Sequence, residues 1–381
     1  MIRITDKSQC CGCTACSAVC PHSAISFRPD GLGFPYPVVD ESKCTDCGLC
    51  DRVCSFTSGS KYDEPKAFAA RNKSEKMLME SRSGGVFPAM VCKVLAEGGV
   101  IYGAGYEEGF RVVHKRAITE EGCKEFSGSK YVQSDMADIM PMVRKDLENG
   151  LEVLFSGTPC QVSGLLSYLP KRLKSKLITV DIICHGVPSP YIWRDYVAYQ
   201  EEKHGGTVTG VSFRDKKAYG WKAHKETFEI NGNLVTDGSY THLFYRHIML
   251  RESCSICPYS DVKRVSDVTL GDFWGWEKSV PHMNEDDKGI SLVLVNSNKG
   301  SEVIEAVAGD LDLKEVNLQD CLQPNLLRPS SRDKEAGAFA NAYTRRGLKY
   351  ILKRYGDQGW RYKVYIMYMN CKRRFKAWLR K

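Results

Sequence analysis

Eight cysteines in two matched runs constrain this chain more than any other feature. Cys10, Cys13, Cys16 and Cys20 follow C-x2-C-x2-C-x3-C, and Cys44, Cys47, Cys50 and Cys54 repeat that spacing. Three thiolates two residues apart on a tight loop can grasp three irons of one cubane. The fourth, one turn further on, points away and reaches the other cluster. The pattern therefore assigns Cys10, Cys13, Cys16 and Cys54 to one [4Fe–4S] cluster, and Cys44, Cys47, Cys50 and Cys20 to a second. Zinc is the competing reading, but zinc sites use C-x2-C pairs, two per tetrahedral ion, and two triads each followed by a fourth cysteine do not fit that plan. Pro21 follows the first run and Ser55 the second; the missing proline changes little, since it only stiffens the turn. Gly12 and Gly48 let amide N–H groups approach the cluster sulfides. Between the runs, AISF and FPYPVV flank Asp30-Gly31, a hairpin signal.

Residues 1–55 resemble the bacterial two-cluster ferredoxins, an α+β module that carries single electrons and does no bond chemistry alone. The remaining sequence is too long for one small module. With 43% apolar and 26% charged residues in 381, disorder and low complexity are poor readings. No run approaches the roughly 18–20 apolar residues of a membrane-spanning helix. The segment MIRITDKSQC has no apolar stretch behind its charges, so no secretory signal is read there and the expected location is cytoplasmic. In that reducing compartment seventeen cysteines, nine of them before residue 55, point to metal rather than to disulfides.

Residues 56–66 are polar and rich in Gly and Ser, as a linker is. Between residues 67 and 330, short apolar runs (AFAA, VIYGAGY, EVLFSG, LITVDII, VSF, SLVLV) alternate with helical patterns beginning at Ser83, Met136, Pro159, Pro190 and Ser301. That alternation predicts an α/β domain with a mixed, largely parallel sheet. Residues 331–381 are expected to form a helical, basic C-terminal extension.

Four further cysteines stand in suggestive places. LEVLFSGTPCQVSGLL reads as strand, turn and helix, with Cys160 at the helix start, where the dipole favours a thiolate. LITVDIICHGVPSP sets Cys184 and His185 at the carboxyl end of a strand, where α/β sheets bind ligands. Cys254 and Cys257 form a lone C-x2-C pair. Four thiols are the number one more cubane requires; equally, Cys160 and Cys184 suit small core positions and Cys254 with Cys257 suits half a zinc site.

The segments ARNKSEKMLMESRSGG, SGSKYVQSD, SGTPCQV, CHGVPSP and C-x2-C-P with SDVTLGDFWG occur in that order. Over residues 67–328 the chain thereby resembles the beta-subunit family of coenzyme F420 hydrogenases and dehydrogenases. The resemblance implies a flavoprotein that binds FAD and a [4Fe–4S] cluster and passes electrons between a reduced deazaflavin and iron–sulfur partners. It makes Cys160, Cys184, Cys254 and Cys257 the ligands of a third cluster and leaves Cys11, Cys92, Cys123, Cys321 and Cys371 as structural. For the flavin, Ser83, Gly84 and Gly85 open a helix whose free N–H groups suit a phosphate or the flavin edge; Lys130 offers a positive charge, Thr158 a hydroxyl, and Arg71 has similar standing. Ser83 as a simple N-cap and Lys130 as a solvated cation are the plain alternatives. His185, beside an expected cluster ligand, is the candidate catalytic residue. Asp272 in GDFWG is read as ordering its turn. YGAGYEEG is no dinucleotide fingerprint, because Glu108 stands where the third glycine belongs and would repel a pyrophosphate.

A hydride donor gives two electrons and a cubane accepts one, so a flavin, stable in three redox states, is the expected converter. The expected function is an oxidoreductase passing electrons between a coenzyme F420-like or other low-potential carrier and [4Fe–4S] clusters. The alternatives are a reductase of an organic substrate with the ferredoxin module as electron entry, and a non-catalytic electron-transfer subunit. The expected partner is a redox protein or small electron carrier. Charge is concentrated at one end: Tyr343 to Lys381 holds thirteen Lys and Arg against one acid, Asp357, a local charge of +12 that leaves the rest at about −4 within a total of +8. Trp360, Val364, Met367, Cys371, Phe375 and Trp378 form an apolar stripe through that tail. Three readings follow: a docked terminal helix with a solvated basic face, an attachment to an anionic membrane surface at the inner face, or an acidic partner. Nucleic acid is not expected, because the aromatics follow the helical stripe.

Overall fold

The computed structural model describes residues 1–56 and 61–378, the side chains at 361, 365, 370 and 373–378 excepted. Residues 57–60 of the expected linker, and the Phe375 and Trp378 side chains of the stripe, lie outside that description.

The cysteine runs fold as a pseudo-repeat. Each loop turns through two left-handed residues at matched positions, Gly12 (φ 72°) and Thr14 (φ 69°) in the first, Asp46 (φ 50°) and Gly48 (φ 72°) in the second. Short helices follow, Ala15–Ala18 and Leu49–Arg52. Alternating right- and left-handed backbone aims successive N–H groups into one concavity, a form suited to an anionic cluster. Strands β1 (Ile25–Pro29) and β2 (Pro35–Val39) pair antiparallel between the repeats. The turn is closed by the Asp30 carboxylate, which accepts from the amides of Leu32 and Phe34 at 2.9 and 3.0 Å. Its left-handed residue is Gly33 (φ 83°) rather than Gly31.

The body is built on strands β3 (Lys66–Asn72), β4 (Val100–Tyr106), β5 (Val112–Ala117), β6 (Val153–Gly157), β7 (Leu177–Ile182), β8 (Val208–Ser212), β9 (Glu226–Ile230), β10 (Asn233–Asp237), β11 (Val268–Asp272), β12 (Ser291–Val295) and β13 (Leu311–Val316). Eight of them form one sheet in the order β13-β3-β12-β11-β7-β6-β4-β5. The central run β11-β7-β6-β4 is parallel and both flanks are antiparallel. Five strands of the eight therefore point the same way, giving the mixed sheet that the alternation predicts. Strands β8, β9 and β10 make a separate antiparallel sheet.

Side chains alternate across the large sheet with the two-residue period of strands. Ile101, Leu154, Val180 and Val293 face the helices Val86–Ala96 and Asn298–Ala306. Tyr102, Phe155 and Leu177 face the helices Ile139–Glu148 and Pro159–Tyr168. Ala15, Val53 and Phe56 of the cysteine-rich region join that second core, so the N-terminal module packs as part of the body. A third core, around Trp193, Phe213, Phe228, Tyr240 and Phe244, also takes in Phe339, Ile351 and Leu352 of the helix Ala336–Arg354. The final helix, Trp360–Trp378, differs: Trp360 is 71% exposed, and Val364, Met367 and Cys371 are exposed too. The stripe expected on a docked helix faces outward. Among the described residues no helix is long and apolar enough to cross a membrane.

Candidate functional site

Both cysteine runs cross over as their spacing requires. Burial, then the neighbouring sulfurs of Cys13, Cys10 and Cys54, push the Cys16 thiol up, so these four lie together. Cys20, Cys44, Cys47 and Cys50 surround a small cavity of their own. Amides already point at the sulfurs, Ile2 to Cys50 at 3.3 Å and Ala24 to Cys20 at 3.4 Å. The second set lies nearer the surface, with Cys47 exposed.

Cys160, Cys184, Cys254 and Cys257 also converge. Thr158 and Gln161 form a capping box on the helix Pro159–Tyr168, and the Thr158 hydroxyl lies 3.2 Å from the Cys160 sulfur. Cys184 leaves the end of β7, and its sulfur accepts from the Gly186 amide at 3.3 Å. Cys254, on the turn Glu252–Ile256, accepts from the Val187 amide at 3.4 Å. Burial pushes Cys254 up to about 12 and Cys257 up to about 11, and Cys184 moves the same way. Each also feels the other sulfurs, as thiols gathered without a cation must. Cys160 is the exception: the Cys11 thiol donates toward it and holds it at about 7 against the push of burial. Cys11 is thus no bystander, since it sits between Cys13 of the first set and Cys160. Gly164 completes that approach, because a Cβ there would fall 2.8 Å from the Cys13 sulfur.

Among the described residues no three His, Cys, Asp or Glu side chains close on a single-ion site. The three thiol quartets, with their inward amides, fit cubanes instead.

Beside the third quartet, at the carboxyl ends of β6, β7 and β11, lies a cavity of about 320 Å³ whose wall includes Cys184, His185 and Thr158. One side is aromatic. Trp274 stacks on Trp221 at 4.5 Å and on His224 at 5.6 Å, His224 bonds the Tyr245 hydroxyl, and His185 lies 6.2 Å from Phe244. The other side is cationic. Arg214 pairs with Asp272, which also accepts from Trp221 Nε1 at 2.8 Å; burial works against the Asp272 carboxylate, but Arg214 and then Arg82 hold it ionised. Arg82 gives one N–H to the Trp221 carbonyl at 2.5 Å, while its buried Nε and Nη1 have no protein partner. Burial pulls Lys130 down to about 8 and His224 to about 4, and lowers His185 as well.

Of the residues singled out for a flavin, Ser83, Gly85, Lys130 and Thr158 line this cavity. Ser83 does not cap the helix, which starts after Gly85; its hydroxyl donates to the Ile290 carbonyl at 2.7 Å. Gly84 is engaged with the sheet, its amide donating to Ser291 Oγ at 2.8 Å. Arg71 stands apart, bonded to the Met283 carbonyl and paired with Asp286. Lys130 is not solvated: it donates to the Gly128 and Glu125 carbonyls and lies over the Tyr106 ring. Asp272 does order its surroundings, through Arg214 and Trp221. Arg82, Arg214, His224 and Trp274 are additions. Arg82 adjoins Ser83 in the sequence, and nothing local marks the others.

Residues 150–319 match the family model for the C terminus of the coenzyme F420 hydrogenase/dehydrogenase beta subunit, and residues 9–58 match the 4Fe-4S dicluster domain. A chain from the xenon-derivatised F420-reducing [NiFe] hydrogenase complex of Methanosarcina barkeri aligns over 79% of this chain and 95% of its own, at 19% identity and a TM-score of 0.47. No curated protein matches. With a dicluster domain ahead of that beta-subunit domain, the chain belongs to the coenzyme F420 hydrogenase/dehydrogenase beta-subunit family, as an iron–sulfur electron-transfer protein.

Proposed function

We propose that the chain is a flavin-dependent oxidoreductase exchanging electrons between a two-electron carrier and three [4Fe–4S] clusters. The observation that carries this reading is the shared wall: the aromatic, cationic cavity includes Cys184 of the third quartet. Bound FAD would supply conversion between two-electron and one-electron chemistry. The chain's own residues do the rest. The unspent N–H groups of Arg82, with Lys130 and the backbone at Ser83 and Gly85, suit phosphate oxygens. Trp274, His224 and Tyr245 offer a flat face to a ring system, and His185, kept neutral by burial, offers a hydrogen bond at the ring edge beside Cys184. An acidic carrier of the coenzyme F420 kind suits a wall whose only carboxylate among the described residues, Asp272, is already paired. The body's slight negative charge does not extend to this cavity. A redox partner protein would meet the second quartet, where Cys47 is exposed.

Oxygen-free purification followed by iron, sulfide and flavin analysis tests the proposal. About twelve irons and one flavin per chain are expected, with flavin retention reduced in R82Q. About eight irons would remove the third cluster, and a flavin-free protein would leave a pure electron-transfer subunit. We assign the basic tail to an anionic membrane surface, since its apolar stripe is uncovered and its charge is of one sign.

A further inference from the structure

Two arginines of this chain are buried to below 2% exposure, Arg251 and Arg264. Arg264 has its counter-charge, the Asp181 carboxylate at 3.0 Å. Arg251 makes no such pair among the described residues. Its N–H groups go to the Cys10 carbonyl (2.7 Å), the Pro35 carbonyl (2.9 Å), Gln133 Oε1 (3.0 Å) and the Cys10 sulfur (3.6 Å). The Tyr36 ring covers it at 4.3 Å. Carbonyls and a ring supply partial charges only, and an isolated buried cation is costly. The available anion is the sulfur of Cys10, with whatever charge the first quartet holds.

The loop is shaped to this guanidinium. A Cβ on Gly12 would fall 3.0 Å from Arg251 Nη1 and 2.8 Å from Gln133 Nε2. Meanwhile the Arg251 backbone belongs to the third quartet's surroundings: its carbonyl accepts from the Cys254 amide at 3.0 Å, and its amide donates to the Val187 carbonyl at 3.0 Å. One residue therefore spans both sulfur sites, its backbone in one and its charge at the other.

We propose that Arg251 is a positioning residue whose buried charge favours the reduced state of the cluster held by Cys10, Cys13, Cys16 and Cys54. A fixed cation beside a cluster sulfur stabilises the added electron and raises the reduction potential. The reversible step adds one electron to that cluster from an external reductant and moves no proton. The inference rests on the iron–sulfur reading, and iron analysis of each sample separates the two.

The test is an anaerobic, dye-mediated redox titration of the full chain followed by electron paramagnetic resonance, with R251Q, R251K and Q133E alongside wild type. R251Q is expected to shift one cluster midpoint downward at unchanged iron content, while R251K stays near wild type. Q133E leaves Arg251 bonded to Cys10 and Pro35 but sets a carboxylate against its charge, so it should lower the same midpoint and decides the matter if R251Q sheds iron. Unmoved midpoints in R251Q and Q133E at full iron content would overturn the proposal. So would a shift in R251K as large as in R251Q. Wild type without iron would instead remove the cluster reading itself.

Discussion

His114 is buried with its Nδ1 2.8 Å from Ser134 Oγ and its Nε2 3.1 Å from the Ser156 carbonyl. Burial, acting first, takes it down to about 4. Between that value and the ordinary 6.5 of an unfolded histidine, the folded chain binds fewer protons than the unfolded one. Stability therefore falls as pH drops through this window, by on the order of 1–2 kcal/mol at pH 5 from this residue. Denaturant unfolding at pH 7 and pH 5 should show a smaller pH-dependent loss for H114Q than for wild type; equal losses would count against a neutral buried ring. At this scale legibility depended on whether the chemistry was local in sequence. The eight N-terminal cysteines could be assigned because a cubane's reach is written into their spacing. Arg82, Arg214 and Arg251 could not, since nothing in ESRSGG, VSFRDK or MLRESC separates an arginine in solvent from one under the sheet. Cys11 was misjudged for the same reason: its partner Cys160 is 149 positions away.

The helix Val86–Ala96 owes its position to one missing side chain. A Cβ on Gly84 would lie 2.2 Å from the Ala70 carbonyl and 2.6 Å from the Ser291 amide, backbone atoms of β3 and β12 that cannot step aside. G84A should therefore cost several kcal/mol and loosen the cavity wall at Ser83 and Gly85; a denaturation midpoint close to wild type would show that the strands can part cheaply. Most elements of the large sheet were readable, because apolar runs and helix starts such as Thr158-Pro159 carry their own punctuation. The β9–β10 hairpin has an equally plain signal, Asn231-Gly232 between two strands, both residues left-handed in the structure, which the strand reading above passes over. Sheet order is another matter: β3 lies between β12 and β13, more than two hundred residues later, and no local pattern encodes that.

For the whole molecule, the periodicity of the last helix announces an apolar face but not what covers it. Trp360, Val364 and Met367 are exposed, whereas the preceding helix Ala336–Arg354 is buried along Phe339, Ile351 and Leu352. The full chain should therefore sediment with vesicles containing phosphatidylserine, less so at high salt, and the double variant V364E/M367E should not. Equal sedimentation with neutral vesicles, or none with either, would refute the assignment of the tail. The junction between the N-terminal module and the body has a kinetic corollary. Tunnelling through protein decays exponentially with the width of the gap, and at Gly164 the helix of Cys160 comes so near Cys13 that a single methyl would not fit. In the relay proposed here, that one hydrogen-for-methyl choice sets how fast current can cross from one half of the protein to the other.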